Sequence, residues 1–304
     1  MAFDSSDPRA ALAKSGTSSI PSRFAGAEYC CFHDVEPTSS DAGSQTWYMR
    51  GQNFVVAYSE VKDSLTFSRD QQVDEWVLLV PGSSLAKVSL EWEGEQVVVP
   101  GRSIAFVPGG SAHVVAEGSG QVVRLFTTQS SDVAELALNS DSYADAHPNV
   151  APFVPWAEAI DGPRIHIYSL DVPNEDGRFG RIFRCSTFMV NFLDPTVGPR
   201  DTSRMSPHTH DDFEQCSLAV EGDYFHHIRW PWGTDKAQWR EDDHRHCPSP
   251  SMVVIPPPAI HTSQAVGQGV NQLVDIFCPP RVDFSQKAGW VLNAKDYPSE
   301  HDSH

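Results

Sequence analysis

Three histidines and a glutamate in the second half of the chain have the types and spacing to hold a metal ion. His208, His210 and Glu214 lie in the run His208-Thr-His210-Asp-Asp-Phe-Glu214, and His261 follows Pro256-Pro-Pro-Ala-Ile. In an extended chain, residues two apart share a face. That alternation predicts His208, His210 and Glu214 on one wall. Two imidazoles and a carboxylate do not saturate a divalent ion, whereas a third imidazole from a facing strand completes a 3-His/1-Glu set. One or two positions then stay open for substrate or oxygen. Among the other histidines, His301 and His304 fall in the tail and are read as terminal residues rather than ligands.

These two segments resemble the signature motifs of the cupin superfamily, HxHxxxE followed by a glycine, then Pro-x-Gly-x-x-His leading into a strand. The first motif fits, with its glycine one residue late at Gly222. The second keeps Pro256 and His261 but has Pro258 where the family places glycine. The resemblance implies a double-stranded β-helix, or jelly-roll, barrel that holds the ion.

Self-comparison finds a second copy upstream. Aligning Glu75 with Glu214 and His113 with His261 puts Arg69 and Gln71 where the paired histidines stand, and Pro108, Gly110 and His113 keep the second motif. Arginine is permanently charged and cannot ligate, and glutamine is a poor partner for a soft divalent ion. The expectation is an all-β chain of two tandem cupin barrels, a bicupin. One divalent metal per chain would sit in the C-terminal barrel, with Fe(II) favoured and Mn, Ni, Co or Zn also compatible.

Short runs rich in β-branched and aromatic residues recur, such as Trp76-Val-Leu-Leu-Val and Met252-Val-Val-Ile, and 23 prolines and 20 glycines supply the turns between them. The expected organisation is an N-terminal arm over 1–25, a first barrel over 26–126 and a connection over 127–165. A second barrel over 166–304 would carry the metal.

The net charge of −18 argues against nucleic-acid partners, which need clustered Lys and Arg. No apolar run reaches the length of a membrane span, and the first residues lack the apolar core of a signal peptide. Six cysteines without framework spacing point to a reduced, cytoplasmic protein. A homo-oligomer, dimer or larger, is expected, because cupin barrels present sheet faces and edges that one chain covers poorly.

Counting by twos from Glu214 predicts Cys216, Leu218 and Val220 on the ligand side, and from His261 predicts Ser263 and Ala265. Between the motifs the C-terminal copy is longer, 47 residues from Glu214 to His261 against 38 from Glu75 to His113, and rich in Trp, Arg and His. One reading makes this stretch a pocket rim in which Tyr224 and Arg229, Arg240 or Arg245 hold a substrate carboxylate and His226 or His227 moves a proton. The other makes it barrel-end packing. The resemblance implies ferrous dioxygenases, manganese decarboxylases, or zinc and nickel isomerases and lyases. The reading taken is an Fe(II) dioxygenase, using O2, that cleaves a small aromatic or unsaturated acid or a diketone. The alternatives are a metal-dependent isomerase or lyase for a sugar acid or similar carboxylate, and a non-enzymatic ligand-binding bicupin.

Overall fold

The structure, a computed structural model, describes residues 24–41, 43–233 and 235–302, so most of the expected arm lies outside the described residues. Trp76–Val80, Ser103–Val107, Met189–Phe192 and Ser251–Ile255 are buried at every position. A strand with no polar face must be covered on both sides, and these strands form the middle layers of the molecule.

In the first half a seven-stranded antiparallel sheet contains Trp76–Val80 and Gly120–Thr127 at its centre, and a four-stranded sheet around Gly110–Gly118 closes the barrel. In the second half a seven-stranded sheet is centred on Gln215–Glu221 and Val270–Phe277. Its barrel is closed by a three-stranded sheet of Asp243–Pro248, Asp223–Arg229 and Ile260–Ala265. The outer faces of the two large sheets pack against each other. Val56, Tyr58, Leu79 and Leu125 of the first half meet Val190, Leu218, Val254 and Ile276 of the second in one buried cluster.

The barrel boundaries depart from the expected ones at two strands. Glu28–Cys31 pairs with Ser251–Ile255 of the second half, and His166–Ser169 pairs with Ser103–Val107 of the first. Each large sheet thus has an edge covered by a strand from the other side of the chain, which satisfies backbone groups left open at a sheet edge. The connection over 127–165 bridges both halves. Leu138 donates its N–H to the Tyr48 carbonyl, Ala151 to that of Asp212 (2.7 Å) and Trp156 to that of Ser186 (2.7 Å).

The first barrel is filled. Trp76 stacks on Phe126 (5.4 Å between ring centres) and meets Phe67 edge-on, in an apolar cluster with Val55, Leu78 and Leu90. Arg69 is tied to Asp132, and His113 is exposed and bonded to Ser68. All six cysteines are free thiols. Among the described residues, no helix is long and apolar enough to cross a membrane.

Candidate metal centre

His208 and His261 face each other across an isolated antiparallel bridge, in which each backbone N–H donates to the other's carbonyl (3.1 and 2.8 Å). His210 is two residues on. The three side chains offer nitrogen atoms that all lie within 4.8 Å of one another. Nδ1 of His208 is 2.9 Å from the Ser206 carbonyl and Nδ1 of His261 is 3.1 Å from that of Ala259. As donors to those carbonyls, both rings are held in the tautomer that leaves Nε2 free to ligate. Burial, with the charges of Arg281 and His261 nearby, pushes His210 down to about 2. Burial and His208 push His261 down to about 4. Both rings therefore stay neutral near neutral pH, the form that binds metals.

Glu214 does not join them, which corrects the predicted ligand set. The chain bends at Asp211 and Asp212, and the strand begins only at Gln215. Counting by twos holds within a continuous strand, and the bend displaces the alternation by one. Gln215 therefore takes the inward place. Its Oε1 lies 2.9 Å from His210 Nε2 and 3.4 Å from His261 Nε2. Its amide nitrogen donates to Ser217 Oγ (3.0 Å) and Asp275 Oδ1 (3.2 Å), which fixes the oxygen toward the histidines. The three imidazoles suit a divalent transition ion, and the oriented amide oxygen of Gln215 adds a weak neutral donor beside them.

The same displacement moves Cys216, Leu218 and Val220 off the predicted pocket wall into the buried layer between the two large sheets. Ser263 and Ala265 line a cavity of about 530 Å³ with His208, His261, Gln215 and Tyr224. Tyr224 is packed among Ala219, Ala265 and Leu273. His226 is buried, with Nδ1 2.9 Å from Ser263 Oγ and no hydrogen-bond partner for Nε2 among the described residues.

The predicted arginine rim is not at this cavity. Tyr224, His226 and Ile228 are buried toward the barrel interior, so alternation sends His227 and Arg229 outward. Arg229 is exposed and paired with Asp242 (2.8 Å). His227 contacts His244 (2.8 Å) and Gln264 (2.9 Å) on the outer face. Arg240 donates to the Phe24 carbonyl and lies over Phe24 and Trp230, and Arg245 lies over Tyr29. Arg240 and Arg245 are thus held in barrel-end packing, while His227 and Arg229 line a separate small cavity that also touches His261.

Sequence reasoning missed Arg200, Gln215 and Asp275. Arg200 lines the cavity and donates to the carbonyls of Ser263 (2.9 Å) and Arg204 (3.1 Å) and to Ser206 Oγ (3.0 Å). Among the described residues these acceptors are all neutral. Asp275, buried but on the cavity lining, accepts from Ser217 Oγ (2.7 Å), and burial pushes it up to about 6. The late Gly222 was the one sequence hint of a displaced register around Gln215.

The fold is that of the two-barrel cupins. The chain is similar to a variant of oxalate decarboxylase from Bacillus subtilis, at 12% identity over 87% of this chain and 78% of that one, with a TM-score of 0.53. It is similar to the Lactobacillus farciminis oxalate decarboxylase formate complex at 12% identity over 88% of each chain, TM-score 0.53. AerE from Microcystis aeruginosa matches at 9% identity over 84% of this chain and 99% of that one, TM-score 0.51. No family model matches the chain, and no curated protein matches it in sequence. At such identities the likeness defines the fold alone.

Proposed function

We propose that the chain is a metal-dependent enzyme acting on a small carboxylic acid at the three-histidine end of the second barrel. The observation that carries this reading is the convergence of His208, His210, His261 and Gln215 Oε1, of which His208, His261 and Gln215 line one cavity together with Arg200. His208, His210 and His261 would hold the ion, with Gln215 as the fourth donor. The bound ion would supply Lewis-acid polarisation of a substrate oxygen. Arg200 suits a carboxylate, because its guanidinium has no competing anion among its hydrogen-bond partners. Tyr224, Leu193 and Ala265 give the cavity an apolar wall that excludes water. Asp275, held near the middle of the pH range by burial, is placed to hold or release a proton.

The reaction favoured is a lyase or decarboxylase reaction rather than the Fe(II) dioxygenase expected from sequence. A neutral four-donor set leaves the full dipositive charge on the ion, which favours binding and polarising an anionic acid. Oxalate decarboxylases are among the proteins of similar fold, one of them described by its Mn(II) centres. The dioxygenase remains the second reading, on the strength of Phe179, Leu193 and Tyr224, which would suit an apolar unsaturated acid.

The test is to load metal-free protein with Mn(II), Fe(II), Co(II), Ni(II) or Zn(II) and screen small carboxylic acids with and without oxygen. Turnover without oxygen uptake is the expected result. Oxygen consumed one-for-one with substrate would favour the dioxygenase, and a protein that takes up no ion would remove both readings.

A further inference from the structure

Glu214 lies outside the three-histidine cluster, and its counterpart Glu75 stands in a barrel where no such cluster is found among the described residues. The two glutamates make matching contacts. Glu214 Oε2 accepts the backbone N–H of Gln52 (2.6 Å), in the turn between Ser44–Arg50 and Phe54–Val61 of the first half. Glu75 Oε2 accepts the backbone N–H of Ser186 (2.8 Å), in the turn between Arg181–Arg184 and Met189–Phe192 of the second half. Each carboxylate also accepts a tyrosine hydroxyl from the segment after its partner barrel, Tyr143 for Glu214 (3.2 Å) and Tyr297 for Glu75 (2.6 Å).

The chain is shaped around the Glu214 contact. A Cβ on Gly51 would stand 2.4 Å from Phe54 Cε1 and 2.6 Å from Glu214 Oε2, so glycine makes room for the Phe54 ring and the Glu214 carboxylate together. Gln52 in turn holds the connecting segment, accepting from His147 N–H (2.5 Å) and donating to the Val150 carbonyl (3.2 Å). His147 Nδ1 lies 3.4 Å from Glu214 Oε1, an ion-pair approach. The next residue after Glu214 is Gln215, whose amide oxygen faces His210 and His261.

We propose that Glu214 is a positioning residue, a clasp by which the first barrel sets the start of the Gln215–Glu221 strand and so aims Gln215 at the metal centre. The inference rests on the metal reading above. It gives the first barrel a part in the chemistry although it holds no ligand. It also explains why the glutamate, alone of the upstream triplet of the first motif, is present in both halves.

The experiment is Co(II) titration of metal-free protein, with thermal melting alongside. Glu214→Gln should weaken Co(II) binding about ten- to a hundredfold, as loss of an outer support for ligands does. Tyr143→Phe removes one hydroxyl, far less disruptive to folding, and should weaken binding several-fold. Glu75→Gln and Tyr297→Phe, which break the equivalent clasp, should lower the melting temperature and leave Co(II) affinity within about twofold, since Gln215 lies beyond their reach. Unchanged affinity in Glu214→Gln would overturn the clasp, as would loss confined to Glu214→Gln with Tyr143→Phe at wild type, because Glu214 would then be a ligand. Wild-type protein that binds no Co(II) would instead overturn the metal reading, and the clasp with it.

Discussion

A buried imidazole ligates only while neutral, and His210, His226 and His261 are held neutral by enclosure, to about 2, 3 and 4 respectively. Each is depressed below its unfolded value, so each contributes stability that is present above about pH 6.5 and lost as pH falls toward its folded value. Asp275 acts in the opposite sense: raised to about 6, it takes up a proton first in the folded state and offsets roughly one imidazole below that pH. The metal-free protein should therefore lose stability between pH 6.5 and 5, at about 1.4 kcal/mol per pH unit for each uncompensated imidazole. Urea midpoints across that range read the slope, and His226→Gln should flatten it by about one group. A midpoint independent of pH would contradict the enclosure argument. Arg200→Met should raise KM for the true substrate ten- to a hundredfold, the roughly 1.5–3 kcal/mol of a charge-assisted contact. Arg229→Met, on the outer sheet, should leave steady-state kinetics unchanged. The reverse pattern would restore the rim that the sequence suggested.

Strands and the chain between them share the site, with Gln215 and His261 on strands, His208 at an isolated bridge and His210 and Arg200 between elements. The first described strand has the clearest test. Removing residues through Cys31 exposes the edge of Ser251–Ile255, so hydrogen exchange in that distant strand should accelerate while Ser103–Val107, covered by His166–Ser169, stays protected. Equal protection in both would mean the pairing is dispensable. Much at this scale was legible in the sequence: the two-barrel repeat, the short β-branched strands and the three histidines all follow from motif and alternation. Gln215 was not, because the bend at Asp211 and Asp212 breaks the count by twos, and the late Gly222 alone hinted at where the strand starts. The arginines misled for the same reason in reverse. One place along Asp223–Arg229 separates buried Ile228 from solvated Arg229, and charge alone does not say which side a residue takes. Arg200 stood outside both motifs, so no signal drew attention to it. The exchanged strands were hidden because Glu28–Cys31 reads as an ordinary strand, and its partner is set by an edge far away in sequence.

The two large sheets share one apolar layer, with Trp47, Phe54 and Phe106 on one side and Phe188, Phe192 and Met252 on the other. A shared core of that kind couples the halves, so unfolding in urea should be one transition, read identically by tryptophan fluorescence and by far-ultraviolet dichroism. A tightly bound ion should move the whole transition, by about 2.7 kcal/mol when free metal is a hundred times its Kd. Two separate transitions, or a metal effect limited to one of them, would show the barrels to be independent. The exchanged strands carry this coupling into the history of the molecule. Whatever is translated first, Glu28–Cys31 must wait for Ser251–Ile255 to be made, and the opening barrel is sealed only once His166–Ser169 emerges. A gene cut between the barrels would leave each fragment with a raw edge and a strand belonging to the other. The first barrel is therefore indispensable to the second as a wall and an edge, whatever its own interior holds.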